Sequence, residues 1–240
     1  LYAAAELDVV YRSDDGGVTW LPTDGSLIGG ARITDLTVDA VDGSVYAASD
    51  GYSVFKTADG GATWEALYDG MANEVVSAVE VDPYAHTTVY AATQNAEPTE
   101  PGLYRSTDGG ATWTPSAAGL ASGVVNDVAA SPLRVGLMYA ATDDGVFKST
   151  VAAASWTAVN TGIEELRIMR LMLHETVEST VYAAAAGGGV YVTFDGGATW
   201  GPAWTDRDGL DVSGFAQGPH EDVLYAGTYR TASSARWTAA

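Results

Sequence analysis

Ser13-Asp14-Asp15-Gly16-Gly17-Val18-Thr19-Trp20 is the stretch on which the reading of this chain turns, because it recurs. Close copies stand at Thr57-Ala58-Asp59-Gly60-Gly61-Ala62-Thr63-Trp64, Ser106-Thr107-Asp108-Gly109-Gly110-Ala111-Thr112-Trp113 and Thr193-Phe194-Asp195-Gly196-Gly197-Ala198-Thr199-Trp200. Ser149 to Trp156 keeps the hydroxyl and the Trp but has lost the Asp and both glycines, and the segment ending at Trp237 keeps little besides the Trp. The six tryptophans are 44, 49, 43, 44 and 37 positions apart, so each interval holds one small sheet and the chain reads as a repeat protein. A second mark runs in phase with the first: Tyr2-Ala3-Ala4, Tyr46-Ala47-Ala48, Tyr90-Ala91-Ala92, Tyr139-Ala140-Ala141, Tyr182-Ala183-Ala184 and Tyr225-Ala226-Gly227. Two independent periodic marks set the repeat number near six.

Each unit reads as four strands, A to D. In the second they are Ile33 to Val38, Ser44 to Ala48, Tyr52 to Thr57 and Thr63 to Leu67, with Thr, Val, Ile, Tyr and Phe supplying β propensity and Asp-Gly or Gly-Gly pairs the turns. Later A strands are expected at Val75 to Val81, Val124 to Ala129, Leu166 to Leu173 and Val212 to Ala216. Six such units, at roughly 1–24, 33–68, 75–117, 124–160, 166–204 and 212–240, predict an all-β chain, a β-propeller in one domain over 1–240. The octapeptide falls on the C to D hairpin. There an Asp two positions after a hydroxyl residue accepts hydrogen bonds from turn amides, and glycine takes the backbone angles the turn demands. Asp15, Asp59, Asp108 and Asp195 are therefore read as structural, since four copies spread over separate blades cannot converge on one substrate.

Ser/Thr-x-Asp-x-Gly-x-Thr-Trp resembles the Asp-box, or BNR repeat, of sialidases, xyloglucanases, sortilin-type propellers and the photosystem II assembly factor. The resemblance spans essentially the whole chain, with four good copies and two decayed ones. In that family the boxes lie on the face opposite the usual active site, which agrees with the structural reading. Gly145-Val146-Phe147-Lys148-Ser149 and Gly102-Leu103-Tyr104-Arg105-Ser106 look more like the xyloglucanase and assembly-factor branches than like true sialidases.

Charge narrows the partners. Eleven Lys and Arg face 31 Asp and Glu, a formal net charge of -20, so the surface repels nucleic acid and anionic membranes and keeps the protein soluble. There is no cysteine, which removes disulfides and thiol chemistry. No signal-type opening is present, so a mature or trimmed chain is expected, and the longest apolar stretch, Leu166 to Leu173, is interrupted by Arg167 and Arg170. His86, His174 and His220 lack ligand spacing and fall in separate units, so no metal or other cofactor is expected.

The A to B and C to D loops leave one end of each blade and the B to C and D to A loops the other, which makes the second set the functional search area. One insertion stands out there, Asn95 to Pro101, stiffened by two prolines and made acidic by Glu97 and Glu100, the candidate binding residues of a lip or groove. Trp204 is the one tryptophan outside the repeating position and adjoins Asp206 and Arg207, a combination suited to sugar stacking. Hydrolysis of a glycoside needs two opposed carboxylates. Asp50, Asp143 and Asp144, on corresponding B to C loops, are the weak catalytic candidates, with turn capping as the competing role. Arg12, Lys56, Arg105, Lys148 and Arg230 recur beside the boxes, and that periodicity favours packing over the blade surface.

The first unit begins at its B strand. A longer propeller, an unusual closure, or a strand donated by another chain would each account for the missing A strand. The reading that results is a non-catalytic protein- or glycan-binding scaffold, extracellular or periplasmic in a prokaryote. Its rivals are a glycoside hydrolase acting on a β-glucan such as xyloglucan and, given the alanine-rich gaps, an engineered propeller without an evolved ligand.

Overall fold

The computed structural model describes residues 1–4, 9–23, 32–51, 53–71, 75–94, 101–121, 123–187, 189–204, 210–217 and 224–230. They fall into two compact units, Leu1–Ala117 and Ala118–Ala240. In the first unit, β1 (Tyr2–Ala4), β2 (Val10–Arg12) and β3 (Leu21–Pro22) form a three-stranded sheet. Next come β4 (Arg32–Val38), β5 (Val45–Asp50), β6 (Ser53–Thr57) and β7 (Glu65–Leu67), a four-stranded blade in sequence order. The third blade repeats it with β8 (Val76–Val81), β9 (Val89–Thr93), β10 (Leu103–Ser106) and β11 (Thr114–Pro115).

The second unit holds a blade of β12 (Val125–Ala130), β13 (Met138–Thr142), β14 (Gly145–Ser149) and β15 (Thr157–Ala158). A second blade follows, of β16 (Ile168–Leu173), β17 (Val181–Ala185), β18 (Gly189–Thr193) and β19 (Gly201–Trp204). An A–B pair, β20 (Leu210–Gln217) and β21 (Leu224–Arg230), is the last described sheet. All pairings are antiparallel between chain neighbours, which is the blade of a β-propeller. The first blade has strands B, C and D and no described A strand, in keeping with a sequence that opens at B.

The octapeptide closes each C to D hairpin as its chemistry predicts. In the third blade Ser106 Oγ donates to Asp108 Oδ1 at 2.7 Å and accepts the Gly110 N–H at 2.8 Å. Asp108 takes the Thr112 N–H on Oδ1 at 2.9 Å and the Thr112 hydroxyl on Oδ2 at 2.6 Å. The same bonds recur at Asp15, Asp59 and Asp195. Hydroxyl donation from the box Thr, then its backbone N–H, holds all four carboxyls down at a pKa of about 2. This also shortens strand D. Thr63 was expected inside it, but its N–H is given to Asp59, and the ladder starts only at Glu65.

Within each unit the blades are tied by three repeated devices. First, the D to A turn of one blade caps the box Trp of the next. Asp69 O accepts the Trp113 N–H at 2.8 Å, Ala118 O the Trp156 N–H at 2.9 Å and Thr161 O the Trp200 N–H at 2.8 Å. The following residue is each time a glycine at positive φ, Gly70, Gly119 and Gly162. Trp64, Trp113, Trp156 and Trp200 are buried, whereas Trp20 is 38% exposed and turns its indole N–H to Gly17 O of its own box.

Second, the Tyr of strand B and the cation of strand C reach together into the next blade. Tyr139 Oη and Lys148 Nζ both donate to Gly196 O, at 3.0 and 2.7 Å, and Lys148 lies 5.5 Å from the Tyr139 ring centre. Tyr46 Oη donates to Gly109 O at 3.2 Å under Lys56, and Arg12 Nη1 to Gly60 O at 3.3 Å. Burial and then the Glu178 charge push the Tyr139 phenol up to about 12, and burial lowers the Lys148 ammonium. This explains Tyr-Ala-Ala at Tyr46 and Tyr139: the tyrosine spans to the neighbour, and two fully buried alanines, such as Ala140 and Ala141, let sheets pack closely. Of the cations expected to pack over the blade surface, Arg12 and Lys148 do so by bonding carbonyls and Lys56 by lying over the Tyr46 ring, while the Arg230 side chain lies outside the described residues.

Third, each described A strand slips register by one residue near its start, at Thr34, Ser77, Asn126, Met169 and Ser213. Thr34 Oγ1 donates to Val76 O at 2.6 Å and Asn126 Nδ2 to Ile168 O at 2.8 Å. The next residue is an Asp in both strands, and Asp35 Oδ2 accepts from Val79 N at 3.0 Å as Asp127 Oδ2 does from Leu171 N at 2.8 Å.

Candidate functional site

The B to C and D to A end of the second unit gathers the most elaborate polar cluster near a sequence-predicted site residue. Its centre is Asn126, 1% exposed, placed by the slip in β12. Its amide donates to Ile168 O and, at 2.9 Å, to Asp143 Oδ1 on the B to C turn between β13 and β14. Arg167, just before β16, brings Nε to 3.5 Å from the same oxygen. Arg170 braces the arrangement from β16. Its Nη1 donates to Asn126 O at 3.2 Å and Met169 O at 3.1 Å, and its Nε to Ser213 O at 3.3 Å. Glu165 Oε1 accepts the Arg167 N–H at 3.1 Å.

Asp143 is thus held in place by one buried amide and one guanidinium, both directed at the same oxygen. That suits a binding group or an electrostatic anchor. Its neighbour Asp144 is exposed, and its backbone does the work: its N–H goes to Thr142 Oγ1 at 3.0 Å and its carbonyl accepts Asn160 Nδ2 at 3.2 Å. Asn160 Oδ1 also takes the Val146 N–H at 2.7 Å, so this side chain fills the hairpin. Only glycine fits opposite: Gly145 has φ 108°, and a Cβ there would stand 2.3 Å from the Asn160 amide.

Asp50 ends β5 in the first unit, exposed, with Val75 as a backbone bridge partner. It belongs to a different unit from Asp143 and Asp144. Glu97, Glu100, Asp206 and Arg207 lie outside the described residues, as does the side chain of Trp204. Among the described residues no group of three His, Cys, Asp or Glu side chains converges as a metal site. His86 Nδ1 pairs with the buried Asp39 at 3.1 Å, and His174 Nδ1 accepts the Thr176 N–H at 3.2 Å, so both bind turns.

Two features escaped the sequence reading. Asn126 and Arg170 were not marked as one cluster with Asp143, because their meeting depends on strand register in two blades. Tyr68 is 66% exposed on the D to A turn, four residues after Trp64, the offset at which Trp204 follows Trp200. That shared offset was a legible signal. The turn beneath it is hydrogen-bonded, with Tyr68 O accepting the Met71 N–H at 3.0 Å and Asp69 O accepting the Trp113 N–H.

A family model of the BNR/Asp-box repeat matches residues 104–115, the third box and its flanks. No curated protein matches the chain by sequence. Solved structures share its fold. The GH74 xyloglucanase from Xanthomonas campestris is 20% identical at a TM-score of 0.70, over 83% of this chain and 34% of that one. YCF48 from Cyanidioschyzon merolae is 16% identical at 0.66, over 95% and 76%, and a YCF48 structure bound to D1 peptide superposes at 0.68. The extracellular domain of a putative one-component system from B. thetaiotaomicron is 13% identical at 0.66, over 95% and 29%. The chain spans about a third of the length of the GH74 structures. With the box geometry, these likenesses make the fold an Asp-box β-propeller. Among the described residues no helix is long and apolar enough to cross a membrane.

Proposed function

We propose that this chain is a non-catalytic binding scaffold, exported by a prokaryote, that presents the B to C and D to A ends of its blades to a glycan or protein partner. The observation that carries the proposal is the geometry around Asp143. Its Oδ1 accepts from the buried Asn126 amide and lies 3.5 Å from Arg167 Nε, so the carboxylate is fixed as an acceptor inside a polar cluster, as a binding group is. The four box carboxylates, the most conspicuous acids in the sequence, are held at about pKa 2 by their own turns and are unsuited to donate a proton. The exposed ring of Tyr68 on a hydrogen-bonded turn adds an aromatic surface of the kind that sugars stack on. Extracellular and peptide-bound relatives of the same fold fit this reading.

The test is a panel of soluble polysaccharides, xyloglucan and other β-glucans included, assayed in parallel for retardation of the protein in affinity gels and for release of reducing ends. Retardation without release supports a scaffold. Release that disappears in Asp143→Asn or Asp50→Asn would establish a glycoside hydrolase instead.

A further inference from the structure

We infer that Asp143 and Arg167 form a subsite for a neutral saccharide, gripping two adjacent hydroxyls of one sugar ring; this rests on the glycan half of the reading above. The pair is built rather than incidental. Asp143 is oriented from below by the buried amide of Asn126, which is itself fixed by Ile168 O in the next blade, and Arg170 secures the Asn126 carbonyl. The ion pair uses only Asp143 Oδ1 and Arg167 Nε. Among the described residues nothing else bonds Asp143 Oδ2 or the two terminal nitrogens of Arg167, and the side chains are 39% and 59% exposed.

What faces solvent is therefore a charged acceptor beside a charged, forked donor. A vicinal diol is the complement of that arrangement, because one hydroxyl donates to the carboxylate while the oxygen of its neighbour accepts from the guanidinium. Charge selects the class of sugar. Arg167 is already neutralised by Asp143, and the whole chain carries a net charge of -20, so an acidic sugar would be repelled and a neutral one would not. Binding should accordingly be almost independent of ionic strength.

The experiment is calorimetric or saturation-transfer titration of the wild-type chain with neutral gluco- and xylo-oligosaccharides and, separately, with oligogalacturonate. Asp143→Asn and Arg167→Met are tested alongside, each checked for an unchanged fold by its melting curve. Arg167→Met leaves the Asn126 bond to Asp143 in place, so it stays informative if Asp143→Asn unfolds. The expected result is binding of a neutral oligosaccharide that weakens at least about tenfold in each variant, as loss of a hydrogen bond to a charged group does. It should change little between about 0.05 and 0.5 M salt, a range over which surface ionic attraction is largely screened. Neutral-sugar binding that survives both substitutions overturns the subsite but leaves a glycan-binding scaffold standing. Preference for oligogalacturonate, strengthened by Asp143→Asn, overturns the neutral-sugar assignment. No saccharide binding by the wild type overturns the subsite and the glycan half of the proposed function together.

Discussion

Gly162 lies so close to Trp200 that a Cβ built on it would stand 2.1 Å from the Trp200 carbonyl oxygen, while the Trp200 N–H goes to the carbonyl of Thr161 at 2.8 Å. Gly70 and Gly119 stand in the same relation to Trp113 and Trp156, each with a virtual Cβ at 2.3 Å from the carbonyl oxygen. The clash is with backbone, which cannot swing aside, and φ at Gly162 is 94°. Gly162→Ala should therefore cost roughly 2 to 4 kcal/mol, the sum of overpacking and left-handed strain. Urea unfolding of the variant checks this, and a loss under about 0.5 kcal/mol, the level of an ordinary surface change, would show that the turn is not a blade-to-blade lock.

The decayed box predicts a gain. Ala152 and Ala153 hold φ 52° and 63°, the left-handed region that Gly109 and Gly110 occupy in the intact box at 73° and 94°. Ser149 Oγ still accepts the Ala153 N–H at 3.1 Å, so the loop has kept its shape after losing its Asp and its glycines. Ala152→Gly and Ala153→Gly should each stabilise by about 0.5 to 1 kcal/mol, the left-handed strain relieved less the extra backbone entropy of glycine in the unfolded chain. Chemical denaturation of the single and double variants measures it.

Acid should loosen the boxes within a defined window. Asp15, Asp59, Asp108 and Asp195 titrate near 2 when folded and near the ordinary value of about 3.9 when unfolded. A depressed folded pKa means that the unfolded chain binds protons first. The contribution of these groups is thus complete above about pH 4 and lost as pH falls towards about 2. Asp108→Asn should melt below the wild type at pH 7, and the difference should shrink across that window. A constant difference from pH 7 to 2 would show that the Asp108 charge is not what holds the turn.

Tyr139 and Lys148 share one acceptor, so their substitutions should couple. Tyr139→Phe or Lys148→Met alone leaves Gly196 O with one donor, and each should cost roughly 0.5 to 1.5 kcal/mol. Removing both strands a carbonyl between blades, and the double variant should exceed the sum of the singles by about 1 kcal/mol. Additive losses in a double-mutant cycle would mean that the two side chains act independently.

Much of the fold was legible because it is periodic. The boxes, the Tyr-Ala-Ala strands and the A strands all fell within a few residues of their predicted places, since alternation and turn chemistry are local properties. One further mark was present and passed over: a glycine followed by an apolar residue six positions after the Trp, as Gly70-Met71, Gly119-Leu120 and Gly162-Ile163. Its meaning shows only when the turn meets the next blade.

The sequence by itself determined the blade, its repeat and the structural duty of Asp15, Asp59, Asp108 and Asp195, because every partner of those carboxylates lies within four residues. Tertiary structure alone decided which groups meet across blades. Lys148 finds Gly196, Asp127 finds Leu171, and Asn126 joins Asp143 to Ile168, at separations of 17 to 48 residues. Those encounters depend on the register of one sheet against another and on a single-residue slip in strand A, and a repeat length carries no information about either.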